Sequence, residues 1–193
     1  KMVVNGDVLI PRYETEELCG HILSRIDTYF PDAEKLKVAD VGTGSGAIAI
    51  ALCKEEPKID MCATDISVEA LETAKLNAKT NEADITFYAG DMLKPLIEKG
   101  IKLDVLVSNP PYIRTEVINT LMEDVKDYEP HLALDGGKDG LKFYRILIDE
   151  APKHLEKDGI LIFEIGYDQK EDIENIAAIL PKDASWQFAR FSA

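Results

Sequence analysis

The chain has 193 residues, with 22 Lys+Arg against 36 Asp+Glu and a formal net charge of −14 at pH 7. That length suits one domain, and 46% hydrophobic with 30% charged residues is an ordinary globular composition, which excludes fibrous and disordered classes. No apolar run approaches the roughly 18 residues of a membrane-spanning helix. No basic n-region with an apolar h-region opens the chain, so a secretory signal is not expected. Three scattered cysteines without a CxxC pair supply neither a disulfide framework nor a zinc site. A reducing, cytoplasmic setting is expected, with no membrane and no metal. The acidic balance argues against a direct nucleic-acid partner, because phosphate contacts depend on Lys and Arg.

Leu18, Ile22, Ile26 and Phe30 recur at helical spacing before Pro31. Residues 37–41 read as a buried strand, followed by a glycine turn and an apolar helix over 47–54. A strand over 59–64 comes next. Ser67 then caps a helix whose inner face is Ala70, Leu71, Ala74 and Ala78. Residues 85–89 and 103–107 are two further strands. From 108 to 140 runs a stretch rich in Pro, Gly and charge, with a short helix over 117–125; loops this long inside compact domains are usually functional. Leu141, Tyr144, Ile148, Ala151 and Leu155 mark a helix, with Gly159 as its C′ residue. A strand over 160–165, a helical face of Ile173, Ile176, Ala177 and Leu180, and a last strand over 185–191 complete the pattern. Strands alternating with helices imply an α/β fold, a doubly wound and mostly parallel sheet covered on both faces.

Asp40-Val41-Gly42-Thr43-Gly44-Ser45-Gly46 sits where the first strand hands over to a helix. Glycines there permit a tight turn and let backbone approach a ligand, and ligands of such sheets bind at the carboxyl ends of the strands. Gly42-x-Gly44-x-x-Ala47 also fits a dinucleotide fingerprint, and Asp65, 19 residues past Gly46, suits ribose hydroxyls in either case. Asp40 within the motif favours the other reading: Asp40-x-Gly42-x-Gly44-x-Gly46 resembles the first motif of S-adenosylmethionine-dependent methyltransferases, a Rossmann-like fold. The resemblance implies that Asp40, Gly42, Thr43, Gly44 and Gly46 meet the amino-acid end of the cofactor. Asp65 with Ile66 would hold the ribose, and Asp91 with Met92 would lie near the adenine.

Ser108-Asn109-Pro110-Pro111-Tyr112 follows the fourth strand. Two prolines fix φ and remove two donors, leaving carbonyls of rigid orientation. Asn109 adds an acceptor and Tyr112 a flat face, a set suited to a planar NH2 group. The pairing with the glycine turn resembles the amino-methyltransferases, which alkylate exocyclic base amines or a glutamine amide. Such nitrogens are poor nucleophiles because their lone pair is delocalised. Acceptors from Asn109 and the Pro110 carbonyl would hold both N–H groups, aim the lone pair and stabilise the charge that grows on nitrogen. No strong general base is needed, in keeping with three scattered histidines read as structural or surface residues.

Two further segments narrow the resemblance. Val8-Leu9-Ile10-Pro11-Arg12-Tyr13-Glu14-Thr15-Glu16 precedes the first helix, and Glu129-Pro130-x-x-Ala133-Leu134-x-Gly136-Gly137-x-Asp139-Gly140-Leu141 closes the long loop. With the other two motifs, they resemble the HemK-type peptide-chain release factor glutamine methyltransferases. This resemblance implies S-adenosylmethionine as cofactor, S-adenosylhomocysteine as product and a release factor as protein partner, methylated on the N5 amide of the glutamine in its Gly-Gly-Gln loop. It also implies a substrate side formed by Asn109, Pro110, Pro111, Tyr112, Arg12 and Glu14, with Asn109, Pro110 and Tyr112 catalytic and Asn109 also meeting the cofactor. Gly136, Gly137 and Gly140 would serve backbone geometry. The family usually reads Arg-Pro-Glu-Thr where this chain has Arg12-Tyr13-Glu14-Thr15, so Tyr13 is expected to alter that wall. Against the family, residues 1–193 are expected to form a single catalytic domain, monomeric, lacking an N-terminal helical domain and a final antiparallel strand. The competing readings are a nucleic-acid amino-methyltransferase, a non-catalytic cofactor-binding module and, more distantly, an NAD enzyme.

Overall fold

The computed structural model describes residues 1–178 and 187–192. Its elements run α1 (Tyr13–Tyr29), β1 (Leu36–Val41), α2 (Ala47–Glu55), β2 (Ile59–Asp65), α3 (Val68–Thr80), β3 (Ile85–Ala89), α4 (Lys94–Glu98) and β4 (Leu103–Ser108). After the long loop come α5 (Thr115–Ile118), α6 (Glu123–Tyr128), α7 (His131–Leu134), α8 (Lys142–His154), β5 (Leu155–Ile165), α9 (Lys170–Ala177) and β6 (Gln187–Ser192). The six strands form one sheet in the order β3-β2-β1-β4-β5-β6, every pairing parallel. The winding reverses between β1 and β4, and the carboxyl ends of those two strands diverge from their crossover helices there.

Period-two alternation divides the apolar residues between two faces. On β5, Leu161, Phe163 and Ile165 pack with α4, α8 and α9, whereas Ile160 and Ile162 pack with α1 and α2. Both faces are dry, so the central strands read as continuous apolar runs. Among the described residues, no helix is long and apolar enough to cross a membrane.

The structure differs from the sequence reading at three places. The single helix expected over 117–125 is instead two short helices, α5 and α6, followed by α7. α8 stops at His154 and β5 begins at once, so Gly159 lies within a strand rather than closing the helix. Gly159 is needed there for space: a Cβ would lie 3.0 Å from the Glu156 carbonyl oxygen and 3.2 Å from that of Asp104. The left-handed residue of this junction is Asp158, at φ +64°. α4, with Pro95 in its first turn, has no counterpart in the sequence reading. Leu180 and residues 185–186 of the last expected strand lie outside the described residues.

One buried polar side chain ties the amino-terminal segment to the site. Asn77, on the inner face of α3, is fully buried. Its Nδ2 donates to the carbonyls of Val3 and Ser45, both at 2.9 Å, and its Oδ1 accepts the Val3 N–H at 2.7 Å. Truncation would leave buried backbone groups unpaired, at about 1–3 kcal/mol. Asn77→Ala should therefore lower the urea-unfolding free energy by about that amount; an unchanged midpoint would show that the clamp contributes nothing.

Candidate active site

The carboxyl ends of β1, β2 and β4, together with the segment after β3, open onto a cavity of about 380 Å³. The turn after β1 forms one wall. Gly42 and Gly44 take φ of +74° and +53°, in the left-handed region that side chains resist. A Cβ on either would meet nothing within 4 Å, so both present bare backbone to open space. Thr43 joins them in the wall. Gly46 instead lets α3 approach, since its Cβ would lie 3.2 Å from that of Ala74.

Three acids gather here. Asp40 is fully buried beneath the turn. Its Oδ2 accepts the Thr43 hydroxyl at 2.7 Å. Burial pushes its carboxyl up to about 6 from the ordinary 3.8, outweighing the Thr43 hydroxyl and the Ala49 backbone N–H that favour its charge. Asp65 closes β2 and braces the turn: Oδ2 accepts the Gly44 N–H at 2.8 Å and Oδ1 the Ser67 N–H at 2.9 Å. A carboxylate offers about four lone-pair sites, so two stay available on the cavity side. Ile66 beside it lines the cavity and is half exposed. Asp91, after β3, also lines the cavity and meets Lys94 at 2.6 Å. Met92 takes a left-handed φ of +52°, and its carbonyl accepts the Thr64 hydroxyl at 2.9 Å.

The Asn-Pro-Pro-Tyr loop forms the opposite side. Asn109 and Pro111 line the cavity; Pro110 is buried behind them. Glu164, near the end of β5, organises this loop, although the sequence reading does not single it out. It is 5% exposed. Its Oε2 accepts the Asn109 Nδ2–H at 2.9 Å and its Oε1 the Tyr112 hydroxyl at 3.2 Å. Burial pushes the Glu164 carboxyl up, a shift opposed by those two donors. The Tyr112 phenol is likewise raised by burial and by the Glu164 charge. Gln169 completes the bracket: Nε2 donates to the carbonyls of Tyr112 and Gly140 at 2.9 and 3.2 Å, and Oε1 accepts the Gly166 N–H at 3.0 Å. Gly136 and Gly140 serve close approach, as a Cβ on either would collide with the Tyr112 backbone.

The amino-terminal segment closes another side, with Val8, Leu9, Pro11 and Thr15 on the cavity. Arg12 and Glu14 stand beside this wall rather than in it. Arg12 caps α1 and pairs with the buried Glu129, whereas Glu14 lies exposed in the first turn, where its charge reaches Tyr112 and Glu164. Tyr13 is 70% exposed and is not among the residues that line the cavity. The signal for Glu164 was present in the sequence, as one acid in the otherwise apolar run Ile160-Leu161-Ile162-Phe163-Glu164-Ile165. Asn77 had one too, falling on the helical face of Ala70 and Ala74.

The model of the family described as methyltransferase small domain matches residues 22–137, well over half of the chain. The chain belongs to that family. Among curated relatives, the release factor glutamine methyltransferase of Bacillus anthracis is 53% identical over 173 residues, 90% of this chain and 61% of that protein. The release factor glutamine methyltransferase of Bacillus subtilis strain 168 is 45% identical over 176 residues, 91% of this chain and 61% of the relative. The chain thus spans about six-tenths of the length of these relatives. Among solved structures, a ribosomal protein L11 methylase from Lactobacillus delbrueckii subsp. bulgaricus matches with a TM-score of 0.60 and 28% identity, covering 89% of this chain and 70% of that one. Methyltransferase small domain membership and the Rossmann-like sheet imply S-adenosylmethionine-dependent catalysis. The residues fit such a cofactor: bare glycine backbone faces the cavity, Asp65 and Asp91 line it, and the buried Asp40 carboxyl beneath the turn adds negative charge that suits a cationic ligand.

The buried acid has a consequence for stability. Because the folded pKa of Asp40, about 6, lies above the ordinary 3.8, its contribution is fully present below about pH 4 and is lost as pH rises through about 6. In thermal unfolding of the ligand-free protein, wild type should therefore lose stability relative to Asp40→Asn between pH 4 and 7. Parallel curves for the two proteins would contradict the burial assignment.

Proposed function

We propose that this chain carries the catalytic chemistry of a release factor glutamine methyltransferase, transferring a methyl group from S-adenosylmethionine to the N5 amide nitrogen of the glutamine in a release factor's Gly-Gly-Gln loop. The observation that carries the reading is Asn109 facing the same cavity as the open glycine turn, so that a rigid acceptor and a cofactor cradle share one space. The names of relatives 45–53% identical over about nine-tenths of this chain support the choice of glutamine and release factor.

The cofactor, when bound, supplies an electrophilic methyl group on a positively charged sulfur. Asp40 places negative charge beneath the glycine turn, which favours the cationic amino-acid end through a low-dielectric path. Asp65 offers its free lone pairs to ribose hydroxyls, and Asp91 and Met92 border the place of the base. Asn109 Oδ1 and the Pro110 carbonyl accept the two N–H groups of the glutamine amide, turning its lone pair toward the methyl and stabilising positive charge as it grows on nitrogen. With the cofactor bound, the amide nitrogen that Asn109 and Pro110 orient would take the methyl group and leave the sulfur as a neutral thioether. The methylated nitrogen is then acidic enough to release its proton without a dedicated base. Pro111 and the Tyr112 ring flank the planar amide, and Arg12 with Glu14 faces the approaching loop.

Methyl incorporation into a release factor tests this reading. Asn109→Ala should cut transfer by roughly 10²–10³, the scale for losing one preorganised transition-state partner, with cofactor affinity within a few-fold. A parallel loss of cofactor binding would contradict the assignment. Asp65→Ala should instead weaken cofactor binding by about 1.5–3 kcal/mol in calorimetry, the range for hydrogen bonds to a charged group. No change there would remove Asp65 from the ribose site.

A further inference from the structure

An amide side chain is chemically two-faced: one end donates and the other accepts, and a rotation of 180° exchanges them at almost no steric cost. The role given to Asn109 under the proposed function requires its oxygen toward the substrate. Nothing in the Asn-Pro-Pro-Tyr motif itself imposes that orientation. Glu164 does. An ionised carboxylate only accepts, so the Asn109 end that faces it has to be Nδ2, and the 2.9 Å contact leaves Oδ1 directed away from Glu164.

The second oxygen of Glu164 is committed as well, to the Tyr112 hydroxyl at 3.2 Å. Its own backbone is anchored, because its carbonyl accepts the Tyr144 hydroxyl at 3.0 Å in the core beneath. Tyr144 in turn packs against Phe163, with ring centroids 5.2 Å apart. Five residues on, Gln169 ties the Tyr112 carbonyl to Gly140. Glu164 and Gln169 therefore grip the loop at its first and last residues, one through side chains and the other through backbone.

We propose that Glu164 is a positioning residue for methyl transfer, locking the Asn109 amide with its acceptor toward the substrate. This rests on the proposed function for the identity of the substrate but not for the orientation itself. Glu164→Met is the discriminating variant, since it keeps the length of the side chain but removes both oxygen acceptors. It leaves Asn109 Nδ2 and the Tyr112 hydroxyl without their shared partner, so nothing at position 164 then fixes which end of the Asn109 amide faces the cavity.

The test is steady-state methyl transfer to a release factor at pH 8, with cofactor affinity and thermal midpoint measured on the same preparations. The expected result is a fall in kcat of roughly tenfold to a hundredfold, below the effect of removing the Asn109 acceptor, with cofactor Kd within twofold and the midpoint not lowered in proportion. An unchanged kcat, or a cofactor Kd that weakens as much as kcat falls, overturns the proposal. A second measurement needs neither activity nor the variant. The Asn109 side-chain amide of the wild-type protein, assigned by its loss in Asn109→Ala, should show one Hδ2 proton shifted downfield and slow to exchange. Two protons resembling those of an exposed asparagine overturn the proposal. A wild-type protein that does not methylate a release factor while showing this protected proton refutes the functional reading and leaves the positioning role standing.

Discussion

A parallel sheet that reverses its winding between β1 and β4 leaves the carboxyl ends of both strands without a crossover helix above them. That constraint creates the cavity and decides what fills its walls. Backbone polar groups at these strand ends cannot be left dry and unpaired, so acids, hydroxyls and amides collect there. Asp65 is the last residue of β2, Asn109 directly follows β4, and Asp40 and Glu164 each lie one residue before the end of β1 and β5. The adjacent segments, residues 1–11 and 108–140, then have surface to cover and polar groups to bond. They are held by Asn77 on one side and by Gln169 on the other.

The electrostatics of the cavity are those of a cation receptor on one side and an acceptor array on the other. Asp40 is costly to keep charged when alone, as its upward shift to about 6 shows. Such a group gains when a positive charge is brought near it, because the cost of burying its charge is then offset. Asn109 and the prolines offer neutral acceptors instead. A charged acceptor beside the substrate would bind a positive centre tightly before reaction, whereas neutral carbonyls reward the charge that develops during it. Glu164 keeps its charge one layer back, bonded to Asn109 but not itself lining the cavity.

Much of this was legible in the sequence because the determinants are local. The strand-turn-helix of residues 36–55 is specified by an apolar run, three glycines and an apolar helix, and the structure matches it closely. The buried face of α3 and the cap at Ser67 follow from spacing and from a single hydroxyl. The long loop was not legible in the same way. α5, α6 and α7 are four to six residues each and are held by contacts such as Ile113 with Asp135, which connect residues far apart in sequence. Gly159 carried a helix-stop signal but occupies a strand, where a Cβ would crowd the Glu156 carbonyl and that of Asp104 on the neighbouring strand. Glu164 was visible only as a lone acid in an apolar strand; its meaning depends on Asn109 and Tyr112, more than fifty residues earlier.

The proposed function requires one cavity to hold a methyl donor against a glutamine amide gripped by Asn109. The most direct measurement is tandem mass spectrometry of a release factor incubated with the protein and S-adenosylmethionine carrying a deuterated methyl group. A single labelled methyl on the side-chain nitrogen of the Gly-Gly-Gln glutamine is expected. Label on another residue, or none from a protein shown by titration to bind the cofactor, would contradict it.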